Sequence, residues 1–234
     1  MPEREQEWID SVRMTAMLLS DKLPEKSLIE AIYMPGLSQG MIGSGNLFTY
    51  VTQLRKSCRS DTKIAFNGSD GEAAAQNSKP GDAWPGKNWY YSEFAKLGIS
   101  PVLLTPTGPG LHTKGEAVAL VTLAKEHGWK RVVIVTVPWH FVQFFSCLVS
   151  AMEANDYWFA AYASVAQTDW YLSMKGSQGI LQTYPVEEAA RYAPKVLDYH
   201  EHGYAAPFID VFLYHLYRER IGQGELITPR SPYQ

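Results

Sequence analysis

Arg131 to His140 reads RVVIVTVPWH. Five β-branched residues run unbroken from Val132 to Thr136, and Pro138, Trp139 and His140 follow. β-branched side chains favour extended backbone, and an apolar run without alternation is the pattern of a strand buried on both faces of a parallel sheet. Open α/β sheets bind their ligands at the rim beyond the carboxyl ends of the strands. The segment therefore predicts a central strand that delivers Thr136, Trp139 and His140 to that rim. His140 is a candidate acid/base because an imidazole changes charge near neutral pH. The alternative is that it caps the following helix and packs on Trp139.

Outward from this strand, strands and helices alternate. Further strands are predicted at Ile29–Met34, Lys63–Phe66, Pro101–Thr105 and Trp158–Ala163. Helical patterns cover Glu5–Leu19, Leu47–Cys58, Trp89–Leu97, Lys114–His127, Phe141–Ala154, Glu187–His202 and Ala206–Ile221, with Gly98 and Gly128 as stop signals. The expected fold is α/β: a Rossmann-like open parallel sheet of about five strands, with helices on both faces and a C-terminal helix pair. It is read as a single α/β domain over residues 1–234, with an N-terminal helix in 1–28, the sheet core in 29–165 and a C-terminal helical extension in 166–234.

The 234 residues are 46% hydrophobic, enough for one sizeable core. The formal net charge of −3 offers no basic patch, so neither nucleic acid nor an anionic membrane is expected as a partner. No apolar stretch reaches the roughly 18 to 20 residues that span a bilayer, and MPEREQEWID lacks the apolar centre of a secretory signal. Cys58 and Cys147 have no metal-type spacing and read as buried thiols of a reducing compartment. A cytoplasmic location is expected.

The loops after the first four strands hold the candidate chemistry, and parallel strands bring them to one edge. After strand one comes GLSQGMIGSG, where Gly36 and Gly43 belong to a glycine-rich turn. Such a turn presents backbone N–H groups to an anion or is simply a surface loop, and its spacing is neither the dinucleotide fingerprint nor a Walker loop. Strand two ends in Asn67, Gly68, Ser69 and Asp70, and Glu72–Lys87 reads as a long loop able to act as a lid. After strand three come His112, Thr113 and Glu116, placed either to serve a site or to cap and charge a helix start. Asp70 is a candidate carboxylate or a turn residue. No local spacing marks a zinc site, and no metal is assigned.

With these residues in place, the chain resembles the YdcF/SanA/ElyC family of bacterial α/β proteins over Ile29 to Ile221. The likeness rests on IYMPG, IAFNGSDG, HTKGEA, VIVTVPWH and the tail YHEHGYAAPFIDVFLYHLYRERI. It implies that Thr113, Thr136 and His140 occupy family site positions. Gly115 stands where the family carries glutamate, Glu116 where it carries asparagine, and Gln143 where it carries arginine. A guanidinium is the natural partner of phosphate, so Gln143 implies a less anionic ligand. The resemblance also implies a nucleotide-like ligand such as S-adenosylmethionine, as suggested for some members.

The expected function is that of an enzyme acting on a small polar molecule, phosphorylated or nucleotide-like. His140, Glu116 and Asp70 are the catalytic candidates. Gly36, Gly43, Asn67, Gly68, Ser69, His112, Thr113, Thr136, Trp139 and Gln143 are the ligand-binding candidates. The alternative is a non-catalytic binding or regulatory module using the same pocket. The apolar run FIDVFLYHLY is a candidate surface for a homo-oligomer, although core packing explains it equally well.

Overall fold

The computed structural model describes residues 2–70, 85–174, 176 and 182–224. Its centre is a five-stranded parallel sheet of β1 (Ala31–Met34), β2 (Lys63–Phe66), β3 (Leu104–Pro106), β4 (Arg131–Thr136) and β5 (Ala160–Val165), in the order β3-β2-β1-β4-β5. Val132 to Val135 are wholly buried, as a parallel strand covered on both faces requires. β1 pairs with β2 through Tyr33–Ala65 and with β4 through Tyr33–Ile134. The chain order reverses between β1 and β4, which makes their carboxyl ends the switch point where loops part and leave a crevice.

The helices are α1 (Pro2–Leu19), α2 (Gln39–Ser44), α3 (Leu47–Ser57), α4 (Gly86–Lys96), α5 (Thr113–His127), α6 (Phe141–Ala154), α7 (Pro185–Glu201) and α8 (Phe208–Gly222). Side chains of α1, α5, α6 and α8 bury one face of the sheet, and those of α2, α3 and α4 bury the other. Helix α7 contributes to both, through Val196 and Tyr192. In the run 208–217, Phe208, Val211 and Tyr214 turn into the core, whereas Ile209 and Leu216 are exposed.

Three expected boundaries move. Pro101 starts a 3-10 turn (Pro101–Leu103), so β3 begins at Leu104 rather than Pro101. β5 lies two residues later than expected, with the bulky Trp158 outside it and the small Ala160, Ala161 and Ala163 within. The segment read as a glycine-rich turn is partly helical: Ser38 caps α2 by accepting from the Met41 N–H at 3.3 Å, and Gly43 lies inside that helix. Of the expected lid, residues 72–84 lie outside the described residues, and Gly86 and Lys87 open α4.

The outer edge of β5 is covered by side chains. The Tyr214 hydroxyl accepts from Ala161 N at 2.6 Å and donates to Phe159 O at 2.9 Å. Asp21 accepts from Ala163 N at 2.8 Å, and Arg218 donates to Ala161 O at 3.2 Å. Asp21 and Arg218 join in a two-pronged ion pair with both contacts at 2.6 Å. An edge strand exposes unpaired N–H and C=O groups, and here helix α8 and the loop after α1 supply them with partners. Among the described residues no helix is long and apolar enough to cross a membrane.

Candidate functional site

Asn67 sits at the end of β2, wholly buried, and ties its own loop to the loop of Gly110 and to the first turn of α5. Its Nδ2 donates to Gly110 O at 2.7 Å and to Glu116 Oε1. Its Oδ1 accepts from Ser69 N at 2.9 Å and from the Ser69 hydroxyl at 2.6 Å. The Ser69 hydroxyl also meets the backbone of Gly110, whose N–H lies 3.1 Å away. Two close approaches make this knot possible. A Cβ on Gly68 would lie 1.9 Å from the Thr107 carbonyl oxygen, and one on Gly110 would lie 2.7 Å from both N and Cγ of Glu116. Only glycine allows backbone to pack so tightly.

Glu116 stands in the first turn of α5 and is 3% exposed. Its Oε1 also accepts from Gly36 N, at 3.1 Å, in the turn that leaves β1. The carboxyl therefore joins the ends of β1 and β2 to the start of α5. Burial pushes its pKa up to about 8, with the bonds from Asn67 and Gly36 pulling against that rise. At neutral pH it is mainly a carboxylic acid that can give up a proton. Tyr90 fixes the same turn from below, donating to Pro35 O at 3.1 Å and accepting from Leu37 N at 3.4 Å.

His140 closes a 3-10 turn, Pro138–His140, at the end of β4 and is 3% exposed. It holds the position before α6 but makes no side-chain capping bond. Its ring instead lies between two threonines: Nδ1 is 3.1 Å from Thr136 Oγ1 and Nε2 is 3.5 Å from Thr113 Oγ1. A neutral imidazole has one donor and one acceptor, so one hydroxyl donates to the ring and the other accepts from it. Burial lowers the His140 pKa to about 3, and the charge of Lys195 adds to that. The ring is therefore uncharged across the neutral range. Phe144 at 5.9 Å and Tyr192, edge-on at 5.7 Å, complete its walls.

Thr113 and Glu116 are three residues apart on α5 and share one face of its first turn. This places the acid and the imidazole on either side of the switch point, linked through one helical turn. The structure thus brings together Gly36, Asn67, Gly68, Ser69, Thr113, Glu116, Thr136 and His140. Trp139, beside His140, is buried and tilted against Trp170 at 5.8 Å. Gln143 is buried in the first turn of α6.

The other sequence candidates lie elsewhere. Asp70 is exposed and pairs with Lys87 at 2.9 Å. His112 is exposed and caps α5, its Nδ1 accepting from Gly115 N at 3.1 Å. Gly43 belongs to α2. Among the described residues no group of three or more His, Cys, Asp or Glu is placed to hold a metal ion. Gly110 and Tyr90 belong to the site although the sequence pattern does not single them out. The PTGPG turn is the trace of Gly110, and Tyr90 leaves none in its helix.

Fold and site together define an α/β protein with an open parallel sheet and a buried acid–imidazole pair at its switch point. No protein-family model, curated protein or solved structure matches the chain.

Proposed function

We propose that this chain is a divergent YdcF-like enzyme that acts on a small polar, nucleotide-like molecule at the carboxyl edge between β1 and β4. Glu116 is the proton donor and His140, steadied by Thr136 and Thr113, is the neutral acid/base partner. The observation that carries the reading is the placement of two buried ionisable side chains at the ends of β1 and β4, Glu116 bonded to Gly36 N and Asn67 and His140 to Thr136 and Thr113, with burial raising the Glu116 pKa and lowering that of His140. Oppositely shifted pairs are the usual mark of divided acid and base roles. Asp70 has no part in it, because its carboxylate faces solvent and Lys87.

The ligand group nearest Glu116 is uncharged in this reading. The Gly36 N–H that a phosphate would use is occupied by Glu116, and the α5 N-terminus is capped by His112. Gln143 at the family's arginine position points the same way. The neutral His140 ring also suits a second reading, a binding module that holds the ligand without converting it.

Calorimetry with S-adenosylmethionine, adenosine and AMP, followed by chromatography of each mixture, tests both. Binding with conversion, lost in His140→Gln, is the expected result. Binding of any of these without conversion favours the module. Absence of binding by all three overturns the nucleotide-like assignment.

A further inference from the structure

Trp139 is 6% exposed, and among the described residues its indole N–H is buried without a hydrogen-bond partner. An indole nitrogen only donates, and a buried tryptophan usually finds an acceptor for its N–H. An unmatched donor in a native core calls for an explanation.

A cavity beside it supplies one. About 120 Å³ of open space lies between α1, the 3-10 turn Pro138–His140, the first turn of α6 and α7, and Trp139 forms part of its wall. Thr15, Val142, Trp170, Ala189 and Tyr192 form much of the rest. The Thr15 hydroxyl is turned to its own helix, donating to Ser11 O at 2.8 Å. Trp139 and Trp170 meet at 5.8 Å with their ring planes 60° apart. Trp170 remains 38% exposed, which sets its side of the cavity at the protein surface.

These walls define what fits. An apolar cavity of about 150 Å³ takes up benzene, so this one has the size for a single small ring. Aromatic walls favour a flat guest that stacks offset or edge-on against them. Among the described residues none lining the cavity carries a charge, and an ion without a counter-charge is costly to bury, so the guest is neutral. The Trp139 N–H calls for an acceptor on it.

We propose that this cavity is a binding site for a neutral, single-ring heteroaromatic group, held among Trp139, Trp170 and Tyr192, whose acceptor atom takes the Trp139 indole N–H. The assignment does not depend on the roles given to Glu116 and His140. The cavity nevertheless adjoins the imidazole: Tyr192 stands edge-on to His140 at 5.7 Å, and Trp139 immediately precedes His140 in the same turn. A ring bound here therefore touches two of the elements that hold His140 in place.

Pyridine and benzene test the site, because the two rings share a shape and only pyridine carries an acceptor. Nitrogen-15 NMR of the indole groups, above neutral pH where pyridine is uncharged, reads both occupancy and bond. The Trp139 and Trp170 signals are assigned by their loss in Trp139→Phe and Trp170→Phe. Pyridine is expected to shift both signals saturably, with the Trp139 N–H moving downfield as a hydrogen bond requires. It should bind about fivefold more tightly than benzene, as one net hydrogen bond predicts. In Trp139→Phe, which keeps a ring but has no N–H, the Trp170 signal should report equal affinity for the two. Ala189→Leu fills the cavity without removing a hydrogen bond, and there neither ring should shift either signal while the melting temperature shows an intact fold. Should Ala189→Leu fail to fold, the Trp139→Phe comparison decides. No saturable shift with either ring, or undiminished binding in folded Ala189→Leu, overturns the site. Equal affinity of the wild-type protein for pyridine and benzene, or an unmoved Trp139 N–H, overturns the heteroaromatic assignment.

Discussion

Asn67 and Glu116, 49 residues apart in sequence, meet in a buried side-chain hydrogen bond. The same Asn67 amide holds Gly110 O, so a single side chain sets the distance between the end of β2 and the start of α5. Asn67→Ala leaves the Gly110 carbonyl and the Glu116 carboxyl short of a donor in a place closed to water. The expected loss is about 1–3 kcal/mol in chemical denaturation. The Glu116 pKa should also rise, since the bond from Asn67 favours the charged form. Retained stability in Asn67→Ala would remove the amide from its central place.

The pH dependence of stability has two limbs of opposite sign. Glu116 has a folded pKa of about 8, above its unfolded value, so its contribution is full below about pH 4.5 and is lost as pH rises to 8. His140 has a folded pKa of about 3, below its unfolded value of about 6.5. Its contribution is therefore full above about pH 6.5 and is lost as pH falls to 3. Between about pH 4.5 and 6.5 the slopes cancel. The pair should give a flat-topped profile, with limbs of up to about 1.4 kcal/mol per pH unit on each side. Urea midpoints measured across pH should lose the alkaline limb in Glu116→Gln and the acid limb in His140→Gln.

Gly110→Ala should be among the most damaging single-methyl additions in the chain. The new carbon meets N, Cα and Cγ of Glu116 at 2.7 to 2.8 Å, most of it backbone that cannot turn aside. Overpacking of this kind costs about 1–3 kcal/mol. It should also shift the Glu116 titration, because the helix start must move away from Asn67. A variant with wild-type melting and titration would show that the close approach is not needed.

His112 and Thr113 are adjacent, yet opposite outcomes are expected. His112→Ala removes an exposed helix cap, costs no more than about 1 kcal/mol, and leaves ligand affinity unchanged. Thr113→Val keeps the shape but takes a hydroxyl from His140, so affinity or turnover should fall with little change in melting temperature. Calorimetry on the two variants separates a capping residue from a site residue. Equal effects on binding would break the distinction.

The sheet was legible in the sequence because buried parallel strands leave an unmistakable apolar run, as RVVIVT does. Edges were less so. Pro101 reads as the start of a strand, but its fixed backbone begins a 3-10 turn instead. Gly40 and Gly43 suggested an open turn, and the Ser38 cap overrode them to form α2. Asn67, Thr113, Glu116, Thr136 and His140 were visible as polar residues at strand ends. Asp70 looked no different from them, because sequence does not tell whether a loop carboxylate turns inward or toward a lysine.

Arg218→Ala should cost about 3–5 kcal/mol, because it strands the buried Asp21 carboxylate without its cation. Thermal denaturation reads the loss, and light scattering near the midpoint should rise as the β5 edge becomes available to other chains. A variant that melts and scatters like wild type would show the edge to be protected by other means.

The Asp21–Arg218 pair also sets a schedule for synthesis. The two residues are 197 positions apart, so the edge of β5 lacks its α8 partners while the chain is made, until Arg218 has left the ribosome. A product that stops short of Arg218 carries an almost complete sheet with one side left adhesive. Premature termination in α8 should therefore yield inclusion bodies rather than a shorter working protein, and the burden on chaperones falls in the final seconds of translation.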